Sequence, residues 1–171
     1  GFIINSEGSV VTNNHVIDGC SRVTAVYEGN DYVLRTIARD NVNDMALLTS
    51  DLVDKDFFTL SQNDVDILDE ITVVGYGLGK NVSDMVKVTK GIVSSMTGLS
   101  NNYSEMQIDA AIQSGNSGGP VISSKGDVVG IAVSKLDSMS VWEEAGDLPQ
   151  NVNFAIKSST LIQGPIIELI K

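Results

Sequence analysis

Apolar residues recur along the chain in short runs divided by turn residues. In Val86-Lys87-Val88-Thr89-Lys90 apolar and polar positions alternate, the pattern of a strand with one wet and one packed face. Runs at 2–5 and 10–12 flank Ser6-Glu7-Gly8 and read as a hairpin. Runs at 23–27 and 32–39 flank a Gly29-Asn30 turn, and runs at 120–123 and 127–133 flank Lys125-Gly126. Further strands are expected at 45–49, 71–76, 86–95, 105–109 and 152–156. That makes an all-β chain of about ten or more short strands, a sandwich or barrel, because no long helical segments alternate with them. The exception lies at the end. Ser158-Ser159-Thr160 offers N-cap hydroxyls ahead of an apolar run at 161–170, which predicts a short C-terminal helix kinked or restarted at Pro165. Long surface loops are expected at 97–102 and at 137–150, the latter holding Trp142 and Pro149. A loop of the second length is more often functional than idle.

Composition narrows the chemistry. At 171 residues, 42 % of them hydrophobic, the chain suits one domain with a substantial core. Its formal charge of −11 repels phosphate backbones and anionic lipid surfaces, which argues against nucleic-acid partners. The apolar stretch at 128–133 falls far short of the roughly 20 residues that span a bilayer, so no membrane insertion is expected. The single histidine, His15, and single cysteine, Cys20, cannot by themselves build a closed zinc site or an intrachain disulfide. Cys20 is expected to pack as a small buried hydrophobe.

The most informative segment is Gly115-Asn116-Ser117-Gly118-Gly119-Pro120. A serine between glycines sits where the backbone can turn tightly and aim successive N–H groups at one point, a cradle for a negative oxygen. Its hydroxyl is a weak nucleophile until a positioned base takes its proton. His15 is the one imidazole available. It needs an acceptor at its other nitrogen to fix the tautomer. Asp44, at the entrance of the apolar run Met45-Ala46-Leu47-Leu48, suits that role, with Asp40 as the alternative. The order His, Asp, Ser is that of chymotrypsin. Ser134 could donate to Asp44 or be an ordinary strand serine, and Trp142 could cover the cleft or simply anchor its loop. Gly75-Tyr76-Gly77-Leu78-Gly79-Lys80 lacks the spacing of a phosphate loop and reads as a hairpin loop beside the cleft. The acids Asp64, Asp66, Asp69 and Glu70 lack the glycine and closing carboxylate of a calcium loop and read as solvated surface.

Thr12-Asn13-Asn14-His15-Val16, Asn43-Asp44-Met45-Ala46-Leu47-Leu48 and the stretch QIDAAIQSGNSGGP ending at Pro120 resemble the three catalytic segments of the HtrA/Deg, or Do-like, trypsin-fold serine proteases. Gly130-Ile131-Ala132-Val133 and Asn153-Phe154-Ala155-Ile156 match that family too. The resemblance implies two six-stranded β-barrels, near residues 1–75 and 76–157, followed by a helix at 158–171, with the site in the cleft between the barrels. It implies a serine endopeptidase in which His15, Asp44 and Ser117 form the triad, and Gly115, Asn116 and Ser117 the oxyanion turn. Ala111, Ile112 and Leu136 would line an apolar specificity pocket favouring a small or medium aliphatic residue on the acyl side. Substrates would be unfolded or extended polypeptides, with no cofactor required. An extracytoplasmic, periplasmic location and a homotrimer are features of the family. The alternative is a peptide-binding or chaperone-like module of the same fold with its catalytic groups misaligned. Three departures stand out. No PDZ domain fits before Lys171. The family's usual opening strand before Gly1 is missing, so the first barrel is expected to be incomplete at its edge. Asn116 stands where digestive relatives carry an aspartate that pairs with a newly cut N-terminus, so activation by that ion pair is not expected.

Overall fold

The computed structural model describes residues 1–76, 85–133, 151–164 and 166–170. Antiparallel strands form two sheets. The first holds β1 (Phe2–Ile3), β2 (Ser9–Thr12), β3 (Val23–Tyr27), β4 (Asn30–Asp40) and β5 (Met45–Thr49), in the spatial order β1-β2-β5-β4-β3. It has five strands among the described residues, against the six of a complete barrel. The apolar run of β5 lies at the sheet's centre, buried from Met45 to Leu48. At the edge, β3 alternates half-buried and exposed positions, as a strand with one wet face should. A bulge between Thr36 and Ala38 bends the eleven-residue β4.

The β3–β4 turn falls one residue earlier than the sequence suggests. Tyr27 pairs with Asn30, and the two loop residues are Glu28 (φ 48°) and Gly29 (φ 79°). Both lie in the left-handed region that a two-residue type I′ hairpin needs, so a glutamate occupies the place where asparagine is usual.

The second sheet is closed. It contains β6 (Glu70–Gly75), β7 (Lys87–Ser95), β8 (Glu105–Ile108), β9 (Pro120–Ser123), β10 (Val128–Val133) and β11 (Asn153–Lys157), in the order β10-β11-β8-β7-β6-β9. Val73, Val93, Met106, Ile108, Val121 and Ala132 are among the side chains that fill it. A further apolar cluster spans both halves, joining Phe2, Val11, Met45 and Leu47 to Val128, Ile131, Ile156 and Leu161.

Helix is scarce and partly unforeseen. One turn, α1 (Asn14–Ile17), follows β2, and α2 (Ser158–Gln163) follows β11. The hydroxyls at the start of α2 do not cap it as expected. Lys157 is the cap residue, while Ser158 Oγ donates to the Ser61 carbonyl and Thr160 Oγ1 to the Ser104 carbonyl, both at 3.0 Å. They fasten the helix to those loop carbonyls. The last described element is a 3-10 turn, Ile167–Ile170, and Pro165 lies outside the described residues. The expected 97–102 loop contains its own 3-10 turn, Leu99–Asn101. Cys20 is exposed rather than buried. Its N–H bonds the Ile17 carbonyl in the turn closing α1, and Ile17, 1 % exposed, takes the core position instead.

Candidate active site

The site is built where the end of β2 meets the β4–β5 turn. Asp44 has φ 53°, a left-handed conformation that aspartate adopts more readily than most non-glycine residues but that still needs local hydrogen bonds to hold it. Four hydrogen bonds from one short segment hold it there. The Asn14 N–H and the Asn13 side-chain amide donate to its carbonyl at 3.1 and 3.0 Å. The His15 N–H donates to carboxylate Oδ1 at 2.8 Å, and His15 Nδ1 lies 2.5 Å from Oδ2. A carboxylate can only accept, so Nδ1 carries the proton and neutral His15 keeps Nε2 as a base. Both side chains are about three-quarters buried, which strengthens their pairing relative to one in open water.

Asp40, the alternative acid, is committed elsewhere. Partial burial opposes its charge, yet the Asn43 amide and the N–H groups of Asn43 and Val42 hold its pKa below the ordinary value. It organises the turn that presents Asp44.

Ser117 lies on the connection between β8 and β9, in a turn closed by Asn116 N–H to Gln113 carbonyl and Gly119 N–H to Asn116 carbonyl, each 2.9 Å. Two further 2.9 Å bonds, Gly118 N–H to Ala132 carbonyl and Ala132 N–H to Gly119 carbonyl, tie it to β10. Gly115 (φ 101°) and Gly118 (φ 75°) adopt backbone conformations that side chains resist. Gly118 also has no room for one, since a Cβ would strike Thr12 Oγ1 and come within 3.0 Å of Asn13 N. The serine turn of the second sheet is thus pressed against the residues leading to His15 in the first. Asn116, 5 % exposed, wedges its side chain against Gly75, where a Cβ would come within 2.7 Å of Asn116 Oδ1. Half-buried Ser117 lines a cavity of about 290 Å³ together with Gly115, Gly119, Phe2, Val74 and Tyr76.

A family model described as a trypsin-like peptidase domain matches residues 1–131. The chain belongs to the trypsin-like peptidases. It is 38 % identical over 94 % of its length to the uncharacterized protein y4bJ of Sinorhizobium fredii, covering 26 % of that protein. It is 31 % identical over 95 % of its length to the serine protease Do-like HtrA of Bacillus subtilis, covering 38 %. A protein of Brucella suis named "Probable periplasmic serine endoprotease DegP-like" is 34 % identical over the whole chain, which covers 32 % of it. The chain therefore spans between a quarter and two-fifths of these relatives. Among solved structures, the serine endoprotease of Yersinia pestis superposes with a TM-score of 0.76 at 26 % identity, covering 94 % of this chain and 53 % of that one. The HtrA-type protease AlgW, solved with a decapeptide, superposes at 0.77 and 28 % identity, covering 97 % and 50 %. The all-β, trypsin-like fold with a short C-terminal helix and the HtrA-type membership are accordingly established.

Ala111 is exposed and its carbonyl accepts from Thr89 Oγ1 at 2.8 Å, while half-buried Ile112 packs on the second-sheet core. Neither lines the cavity beside Ser117. Leu136, Ser134, Trp142 and the whole 137–150 loop lie outside the described residues, as does the glycine-rich run from Gly77 to Lys80. Of the acids at 64–70, Asp69 accepts from the Asp66 N–H and Glu70 pairs with Lys90 at 2.9 Å, both on the surface. Two residues near the site carry no signal of their own in the sequence. Asn13, fully buried, bonds Asp44. Glu105 is pushed above the ordinary glutamate pKa by burial and then by the Asp44 charge, against an opposing hydrogen bond from Asn102.

Proposed function

We propose that this domain is a serine endopeptidase that cleaves unfolded or extended polypeptides by acyl transfer. Ser117 Oγ attacks the peptide carbonyl while His15 Nε2 takes its proton. His15 then returns that proton to the departing amine, leaving an acyl-enzyme that water hydrolyses by the same route in reverse roles. Asp44 orients the imidazole and stabilises its cationic form. Asn116 commits its N–H to the turn, and the N–H groups of Gly115 and Ser117 are proposed as the donors for the oxyanion. The observation that carries the reading is the doubly bonded His15–Asp44 pair, with the Ser117 turn seated on the adjoining Thr12–Asn13 backbone.

Ala111, Ile112 and Leu136 are proposed to form the acyl-side pocket, a recess separate from the cavity that Ser117 shares with Phe2, Val74 and Tyr76. An apolar pocket rejects a charged side chain because desolvating the charge goes uncompensated. A peptide series should therefore show Val, Ala or Ile cleaved fastest at that position, and fastest cleavage after Arg would refute the assignment. Action outside the cytoplasm, as a homotrimer, completes the proposal. It draws on the Brucella relative's name and on the HtrA-type membership.

A fluorophosphonate probe tests the reaction itself. One adduct on the Ser117 peptide is expected, vanishing in Ser117→Ala. A folded protein that stays unlabelled in all conditions would instead be a binding module of the same fold.

A further inference from the structure

Asn13 is the first residue of the Asn-Asn-His run and stands at the N-cap position of α1, with the extended backbone of a cap residue (φ −75°, ψ 147°). An asparagine there ordinarily turns its side-chain oxygen onto an N–H of its own helix. This one makes no such cap. Its amide instead reaches a carbonyl 31 residues away, donating from Nδ2 to Asp44 at 3.0 Å. The side chain is wholly buried, and its Oδ1 has no hydrogen-bond partner among the described residues. Rotating the amide would not help, because it would set Oδ1 against the Asp44 carbonyl, acceptor facing acceptor. The residue therefore forgoes a local bond and leaves an oxygen unsatisfied in order to make one long-range contact.

That contact falls on the residue of the catalytic pair that has left-handed backbone. Asp44 sits at φ 53°, and its backbone conformation sets both the direction of its carbonyl and the Cα–Cβ bond from which its carboxylate projects. His15 grips the carboxylate, and Asn13 and Asn14 grip the carbonyl. Without the Asn13 amide, the carbonyl keeps only the Asn14 N–H, and the hold on the left-handed backbone of Asp44 is weakened on the side opposite the His15 bonds. The carboxylate would then swing off His15 Nδ1.

We propose that Asn13 is a positioning residue for the His15–Asp44 pair: its side-chain amide holds the Asp44 backbone in the left-handed conformation that aims the carboxylate at the imidazole. The inference rests on the proposed catalytic reading for its effect on rate, but not for its effect on geometry.

The test exploits the chain's single histidine, whose ring protons need no assignment among others. Two variants are compared with wild type and with an Asp44→Asn control. Asn13→Ala deletes the amide, and Asn13→Leu deletes it while filling a similar buried volume. The low-field Nδ1 proton resonance of His15 should shift or broaden in both, as in the control, while Asn13→Leu unfolds near the wild-type temperature. Peptide kcat should fall about tenfold with KM within about twofold, as expected for misplaced chemistry rather than weakened binding. An unchanged resonance and unchanged kcat would overturn the proposal. So would unfolding of both variants beside a folded control, which would make Asn13 a packing residue. If wild type neither hydrolyses peptide nor labels, yet the resonance still depends on Asn13, the positioning role stands and the catalytic reading fails.

Discussion

Gly118 shows at the scale of one residue how the two halves of the site are held in register. Its φ of 75° and its contact with Thr12 and Asn13 leave no space for even a methyl group. Gly118→Ala should therefore cost about 2 kcal/mol or more of stability and lower kcat about a hundredfold, since the added carbon pushes the serine turn away from the histidine segment. Thermal unfolding and peptide turnover measured on the same preparation check both numbers. The candidates Ser117, His15 and Asp44 stand out in the sequence because Ser117 lies among glycines, His15 is the one histidine and Asp44 opens an apolar run. Asn13 does not. Its role depends on which way an amide turns in the folded chain, and the local pattern points to a helix cap that is never made. Cys20 misled for a related reason: small and apolar, it suits a core, but the one-turn helix before it spends the inward position on Ile17.

Among the elements, the strands were the most readable part. The alternation in β7 and the continuous apolar run of β5 announce an exposed and a central strand before any coordinates are known. Turn registers and helix ends were less so, because a glutamate can be carried into the left-handed region by a well-paired hairpin, and hydroxyls able to cap α2 find the loop carbonyls of Ser61 and Ser104. The β8 strand supplies a test of its own. Glu105 opens it half-buried, its carboxylate against Gly98 and within the field of Asp44. With its folded-state pKa raised above the ordinary 4.5, the folded state binds the proton more tightly than the unfolded chain. Stability from this group is thus full below about pH 4.5 and lost as pH rises through the folded-state value. Glu105→Gln should raise the melting temperature at pH 7 and converge on wild type near pH 4. Equal melting curves at both pH values would remove Glu105 from the account.

For the whole molecule, the closed second sheet and the five-stranded first sheet are bound through an apolar cluster that both share, with Phe2 stacked edge-on to Phe58 at 5.9 Å between ring centroids. A rigid seam is what a divided active site requires, since His15 and Asp44 ride on one sheet and Ser117 on the other. The all-β class and the bipartite plan followed from strand spacing and the family resemblance, whereas the seam itself, made of residues scattered from 2 to 167, has no local signature. These three side chains are proposed to act as one unit across it. Turnover of an aliphatic peptide by His15→Ala, Ser117→Ala and the double variant tests that claim. Each single change should cost a large fraction of the rate, and the double should be no slower than the slower single. A double variant whose loss is the product of the two single losses, or a His15→Ala protein that still turns over, would contradict it.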